Sequence, residues 1–291
     1  LRKLPQHNHK NITANRTYII QKKQLMQNSA KHLIAALIGF AVITASIPIV
    51  RIYSAETAAA LSTIYTLALS GILAAICIII SVKHQKFRRY YLSLSMVMFC
   101  FFFAELYIGI HTAIKEVSDI FIITLPITEI AYLGATAFIA AFCARIWYEE
   151  IPENKIKPGK TLPISIAAAL VFLVIGRLGI SAGFPLFIGI PYAVFDTVAV
   201  WHSVKFFAAP KIAKPFLPLM TLITVFLTID MLWTFIIPLL LGISEGSISN
   251  IILASMTFLQ MLFIPALIYA EEQREKRAQE KQNQKPLTEA A

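Results

Sequence analysis

Five ionisable residues interrupt otherwise apolar stretches: Glu105, Glu129, Arg177, Asp196 and Asp230. A charged side chain in hydrocarbon costs about 2.5–3.5 kcal/mol even on the lenient insertion scale, so such residues mark ion pathways, proton relays or ligand contacts. Four carboxyls and one guanidinium around one cavity would leave a net charge of minus three if all were ionised. That charge must be relieved: some carboxyls hold protons, a cation binds among them, or water enters. The corresponding chemistries are proton carriage, cation binding and a polar vestibule. The competing reading is structural, with Arg177 paired to one carboxylate and the remaining acids neutral, tying helices together by hydrogen bonds.

The elements that hold these groups are membrane spans. With 57% hydrophobic and 14% charged residues in 291, the chain is too apolar for a soluble domain. Its 11 glycines and 3 cysteines also exclude a collagen and a disulfide scaffold. Crossing the hydrocarbon core takes about 20 helical residues. Eight runs qualify: 33–50, 57–82, 91–112, 120–146, 162–181, 186–204, 216–241 and 251–270. The fifth and sixth are the hardest to separate, because only Gly183, Phe184 and Pro185 stand at their junction.

Charge placement tests that count independently. Cytoplasmic loops collect Lys and Arg. With the N-terminus inside, 23 of the 26 basic residues fall on the cytoplasmic side, only Arg51 and Lys115 fall outside, and Arg177 lies within a span. Removing one span scrambles this alternation. The expected architecture is therefore an all-α polytopic bundle of eight transmembrane helices with both termini cytoplasmic, as in a bacterial inner membrane. A basic arm over 1–32 lies on anionic lipid, and a polar tail over 271–291 extends the last helix until it frays near Pro286. The arm shows no signal-peptide cleavage pattern, and its two Asn-x-Thr matches are read as chance on the cytoplasmic side. Topology accounts for the net charge of +10, so the expected partner is the bilayer and not nucleic acid.

At 1.5 Å rise per residue, Asp196 falls near the midplane and the other four groups in the outer half. Pro126, Pro191 and Pro238 lie near three of the acids, an arrangement that suits broken helices with freed carbonyls beside an ion site. Glu105 and Asp230 each stand late in an outward span, which suggests a parallel repeat of four spans with these two acids equivalent.

Other residues carry less. His111 and His202 belong to opposite ends of their spans and read as interfacial or core histidines. Cys77, Cys100 and Cys143 read as packing residues. Tyr90, Tyr91, Trp147 and Trp201 read as interfacial belt aromatics, and Glu149 with Glu150 as a solvated loop. No GxSxG, Walker or metal-ligand spacing occurs, so no cofactor or metal is expected.

The expected function is a small permease or a transporter coupled to protons or cations, moving a small solute. Glu105, Glu129 and Asp230 serve as ligands, with Asp196 at the midplane and Arg177 as counter-charge. The first alternative is a sensor or assembly partner that docks a cytoplasmic protein on the basic face. The second is an intramembrane enzyme acting on lipid.

Overall fold

A computed structural model describes residues 38–39, 42, 45–47, 49–50, 52–115, 124–151, 163, 166–167, 170, 186–208, 211–232 and 249–288. The chain falls into two units, Leu1–Ser46 and Ile47–Ala291. In the first unit the described residues, at 38–39, 42 and 45–46, are helical. The second contains six long helices among the described residues: α1 (Ala55–Lys83), α2 (Arg88–Lys115), α3 (Thr124–Glu150), α4 (Leu186–Lys205), α5 (Leu217–Met231) and α6 (Ser249–Thr288). Two short 3-10 turns, Phe206–Ala208 and Lys211–Phe216, lie between α4 and α5. The expected spans 33–50 and 162–181 lie largely outside the described residues, although the positions described within them are helical.

Local chemistry sets the helix ends. Ser54, in an extended conformation, caps α1 by accepting the Thr57 amide on its hydroxyl at 3.2 Å. At its other end α1 stops at Lys83, and a tight turn through His84–Phe87 reverses the chain into α2. A proline in the first two positions starts α5, where a missing amide proton costs nothing.

Packing inverts the rule for soluble proteins. On α1 the small polar residues Ser62, Thr66 and Ser70, four apart, are buried, while Ile64, Ile72, Ile76 and Ile79 face outward. Along α4 the buried face is Asp196, Ala199, Val200 and Ser203, and the exposed face is Ile190, Val194 and Val198. Water does not favour an outer surface of aliphatic stripes on helix after helix, whereas lipid tails do. Among the described residues, four helical segments are long and apolar enough to cross a membrane: Ala60–Lys83, Arg88–Ile110, Ile130–Glu150 and Ala213–Met231. This is a multi-pass helical membrane architecture.

Each helix packs on the next, and α6 returns to α1, so the six close a ring. Small residues permit the close approaches. A Cβ added to Gly71 of α1 would stand 3.0 Å from the Phe102 ring of α2, and one added to Gly134 of α3 would stand 3.2 Å from Cys100 Sγ. Across the ring Phe101 of α2 meets Phe226 of α5 edge-on at 5.7 Å, and Phe226 meets Phe263 of α6 at 5.7 Å. Both α3 and α4 finish at the same end of this unit, because Lys205 Nζ stands 5.0 Å from the Trp147 ring centre. It follows that α4 starts at the end opposite the one where α3 stops.

Two local expectations are corrected. Pro126 lies in the first turn of α3, where it removes no helical hydrogen bond, and α4 continues through Pro191 as one helix. Neither acid-bearing helix is broken there, and Pro238 lies outside the described residues. The last helix runs on to Thr288, past Pro286.

Candidate functional site

Glu105 projects from α2 into the contact between α1 and α3 and is only 4% exposed. Tyr132 of α3 donates its hydroxyl to Glu105 Oε1 at 2.6 Å, and Thr66 Oγ1 of α1 stands 3.0 Å from Oε2. Thr66 has one hydroxyl proton, yet the carbonyls of Ser62 and Thr63 also lie within reach, at 3.0 and 3.1 Å. The contact therefore works in either sense. Thr66 donates to a carboxylate, or a protonated Glu105 donates to Thr66 while Thr66 donates to Ser62. Either state fits without moving a heavy atom, and in both Glu105 joins three helices.

Asp196 is placed differently. It is 0% exposed on α4, and neither carboxyl oxygen has a hydrogen-bond partner among the described residues. Asp230 on α5 is the charge that acts on it. The helices that bring the two acids together are pinned by Ser203 and Thr224, whose hydroxyl oxygens stand 2.9 Å apart. Thr224 and Thr228 spend their protons on the carbonyls of Met220 and Thr224, at 2.8 and 2.7 Å. Those two threonine oxygens are therefore left as acceptors beside the α4–α5 contact.

Of the five ionisable residues the sequence singles out, the structure brings Asp196 and Asp230 together and places Glu105 in a separate network of hydroxyls. The cross-ring contact of Phe101 with Phe226 sets these acids at one level, since Glu105 and Asp230 each follow their phenylalanine by four residues on the same helix face. Glu129 lies within α3, its side chain outside the described residues, and Arg177 also lies outside them.

A second polar network occupies the end where α1 turns into α2. Tyr90 donates to Glu150 Oε1 at 2.8 Å, and the Arg274 guanidinium pairs with the same carboxylate. The adjacent Tyr91 donates to Glu271 Oε2 at 2.9 Å, and His84 Nδ1 stands 2.9 Å from Glu271. Arg274 also lies over the Phe87 ring at 5.6 Å, and Phe87 stacks on Phe216. Consecutive tyrosines stand about 100° apart around α2, so one reaches the end of α3 and the other reaches α6.

This network corrects two readings. Tyr90 and Tyr91 are buried donors and not belt aromatics, and Glu150 is buried rather than part of a solvated loop. The reason is helix length. α3 runs four residues past its apolar run, and Tyr90 covers its last carboxylate. Glu271, counted with the polar tail, is buried for the same reason. Sequence reasoning missed Thr66 and Tyr132 as well. The Ser62, Thr66, Ser70 stripe was a legible signal for the first, but nothing local pointed to Tyr132.

The remaining candidates are simpler. His202 is buried at the Lys205 end of α4, 5.7 Å from the Tyr148 ring centre, and its Nδ1 has no hydrogen-bond partner among the described residues. Lys205 lies between Trp147 and Trp201, its ammonium 5.0 and 4.8 Å from their ring centres. Cys77 and Cys143 are buried as small packing residues. The side chain of His111 lies outside the described residues.

Comparison of the chain with known protein families, with curated proteins and with solved structures finds no match.

Proposed function

We propose that this protein is a small permease that carries protons or small cations through the membrane by way of the Asp196–Asp230 pair. The observation that carries the reading is Asp196 itself: a fully buried carboxyl with no hydrogen-bond partner for either oxygen among the described residues, set beside a second acid. A buried polar group without a partner costs about 1–3 kcal/mol, more when charged. Structural acids are held by donors, as Glu105 is held by Tyr132. An acid without a donor among the described residues suits a partner that comes and goes.

The proposed topology has eight spans and both termini in the cytosol of a bacterial inner membrane. Its support is the concentration of 23 of the 26 basic residues on one side, together with α3 and α4 ending at the same end of the ring. The latter favours a further crossing between them, for which the run 162–181 is proposed. Glu129 and Arg177 are proposed as the remaining lining charges.

The test is flux in proteoliposomes. Protons and monovalent cations are followed under an imposed gradient for the wild type, Asp196→Asn and Asp230→Asn. Wild-type flux lost in both variants, with monodisperse protein, is the expected result. Absence of all cation flux in the wild type would overturn the reading. It would favour the second one, a sensor or assembly partner, which rests on α6 running unbroken from the bundle core to Thr288 and presenting a charged helical end.

A further inference from the structure

We propose that the Lys205 end of α4 binds an anionic phospholipid. Its phosphate meets the Lys205 ammonium between Trp147 and Trp201, and one acyl chain lies in a hollow beside Trp201. This site goes beyond the transport reading and rests only on the membrane architecture.

The hollow lies on the outward face of α4. It measures about 270 Å³ and, among the described residues, is lined by Thr197, Val198, Trp201 and His202. Val198 is 38% exposed and continues the outward stripe of Ile190 and Val194. The walls are almost wholly apolar and one side is open, so water finds little to bond there. A hydrocarbon chain fills such a depression, because an empty one forfeits the dispersion contacts of its lining.

The order of residues along the helix follows the order of parts in a lipid. Ile190, Val194, Val198, Trp201 and Lys205 recur at intervals of three or four and so share one face of α4. That face is aliphatic at its first three positions, aromatic at the fourth and cationic at the last. From Thr197 to Lys205 the helix rises about 12 Å, which sets the hollow at acyl-chain depth when the ammonium is at the membrane surface. Trp201 belongs to both halves, as a wall of the hollow and as a ring whose centre is 4.8 Å from Lys205 Nζ. Trp147 of α3 flanks the same ammonium at 5.0 Å. Two indoles at one level suit the interfacial belt, where headgroups lie.

Charge selects the headgroup. From Thr197 to Ile229 the chain has no acidic residue, while Lys205, Lys211 and Lys214 all fall there. The carboxylates that end α3 are engaged elsewhere, Glu149 with Arg145 at 3.6 Å and Glu150 with Tyr90 and Arg274. Among the described residues Lys205 forms no ion pair. Indole faces attract its ammonium but offer no acceptor oxygen to its three protons, and a phosphate does. Lys214, exposed on the turn that follows, adds a second cation at this end. A zwitterionic headgroup would bring its own cation to the same place, so a net anionic lipid fits better. A free anion would leave the adjoining hollow unused.

The experiment uses the full chain with Trp233→Phe, which leaves Trp147 and Trp201 as its only indoles. The protein is placed in phosphatidylcholine bilayers containing a minor fraction of lipid brominated on its acyl chains, which quenches indoles in contact with it. Brominated phosphatidylglycerol should bind about fivefold more tightly than brominated phosphatidylcholine, the preference that one lysine near the surface confers. Lys205→Gln should abolish that preference and Lys205→Arg should keep it. Val198→Phe, which fills the hollow, should weaken quenching by brominated phosphatidylglycerol with Lys205 still in place. Equal binding of the two lipids, or a preference that survives Lys205→Gln, would overturn the site. Quenching unchanged in Val198→Phe would overturn the seat for the acyl chain. Loss of the preference in millimolar inorganic phosphate at constant ionic strength would overturn the lipid assignment and leave a simple anion site.

Discussion

Replacing Asp196 by Asn should make this protein more stable while it stops working. The change keeps the shape of the side chain, so no cavity forms and nothing is overpacked. It removes one of two acids whose charges act on each other and replaces a buried carboxyl, without a hydrogen-bond partner among the described residues, by a neutral amide. An unsatisfied buried group costs about 1–3 kcal/mol and more when charged, so exchanging the acid for a neutral amide should gain about 1–2 kcal/mol. At about 2–4 °C per kcal/mol for a domain of this size, the melting temperature should rise by about 2–8 °C. Thermal unfolding in detergent, followed by intrinsic fluorescence or size-exclusion recovery, reads this directly. Asp230→Asn supplies the second arm of a double-mutant cycle, and the gain should be much smaller in that background because the two sites share one interaction. A fall in melting temperature of several degrees for Asp196→Asn would refute the reasoning. It would mean that Asp196 is held by an essential ion pair or hydrogen bond, and the acid would then be structural.

Two further outcomes follow from the networks around Glu105 and Glu150. Tyr132→Phe deletes the donor to Glu105 without changing packing and should lower stability by about 0.6–1.7 kcal/mol, measurable as a melting shift, as for other hydrogen bonds between membrane helices. Glu150→Ala leaves the buried Tyr90 hydroxyl without its acceptor and should cost about 1–3 kcal/mol, whereas Glu150→Gln keeps that acceptor and loses only the pairing with half-exposed Arg274, worth about 1 kcal/mol or less. Equal destabilisation by the two Glu150 variants would show that the charge, and not the tyrosine contact, holds this end together.

Much of the fold is legible in the chain because hydrocarbon is a severe solvent. Every backbone amide and carbonyl in a span must be satisfied within the protein, so an apolar run of the right length becomes a helix with little choice. The runs 57–82, 91–112 and 186–204 thus coincide closely with α1, α2 and α4. Helix ends were less legible, since α3 continues to Glu150 and α6 to Thr288, well beyond their apolar stretches. Polar residues extend a helix cheaply once it has left the membrane, and hydropathy does not register the difference.

The sequence by itself determined that the protein is an all-helical membrane bundle and that Glu105, Asp196 and Asp230 lie inside it. One-dimensional hydropathy and charge placement suffice for that, because burial in lipid acts on each segment separately. Only the tertiary structure decided which acids have partners. Glu105 meets Tyr132, 27 residues on, and Glu150 meets Arg274, 124 residues on, whereas neither oxygen of Asp196 meets a donor among the described residues. Whether a buried acid is a tie between helices or a site for a mobile ion depends on donors brought from other helices. Their arrival is fixed by how the helices pack, a property of the whole ring and not of any one span.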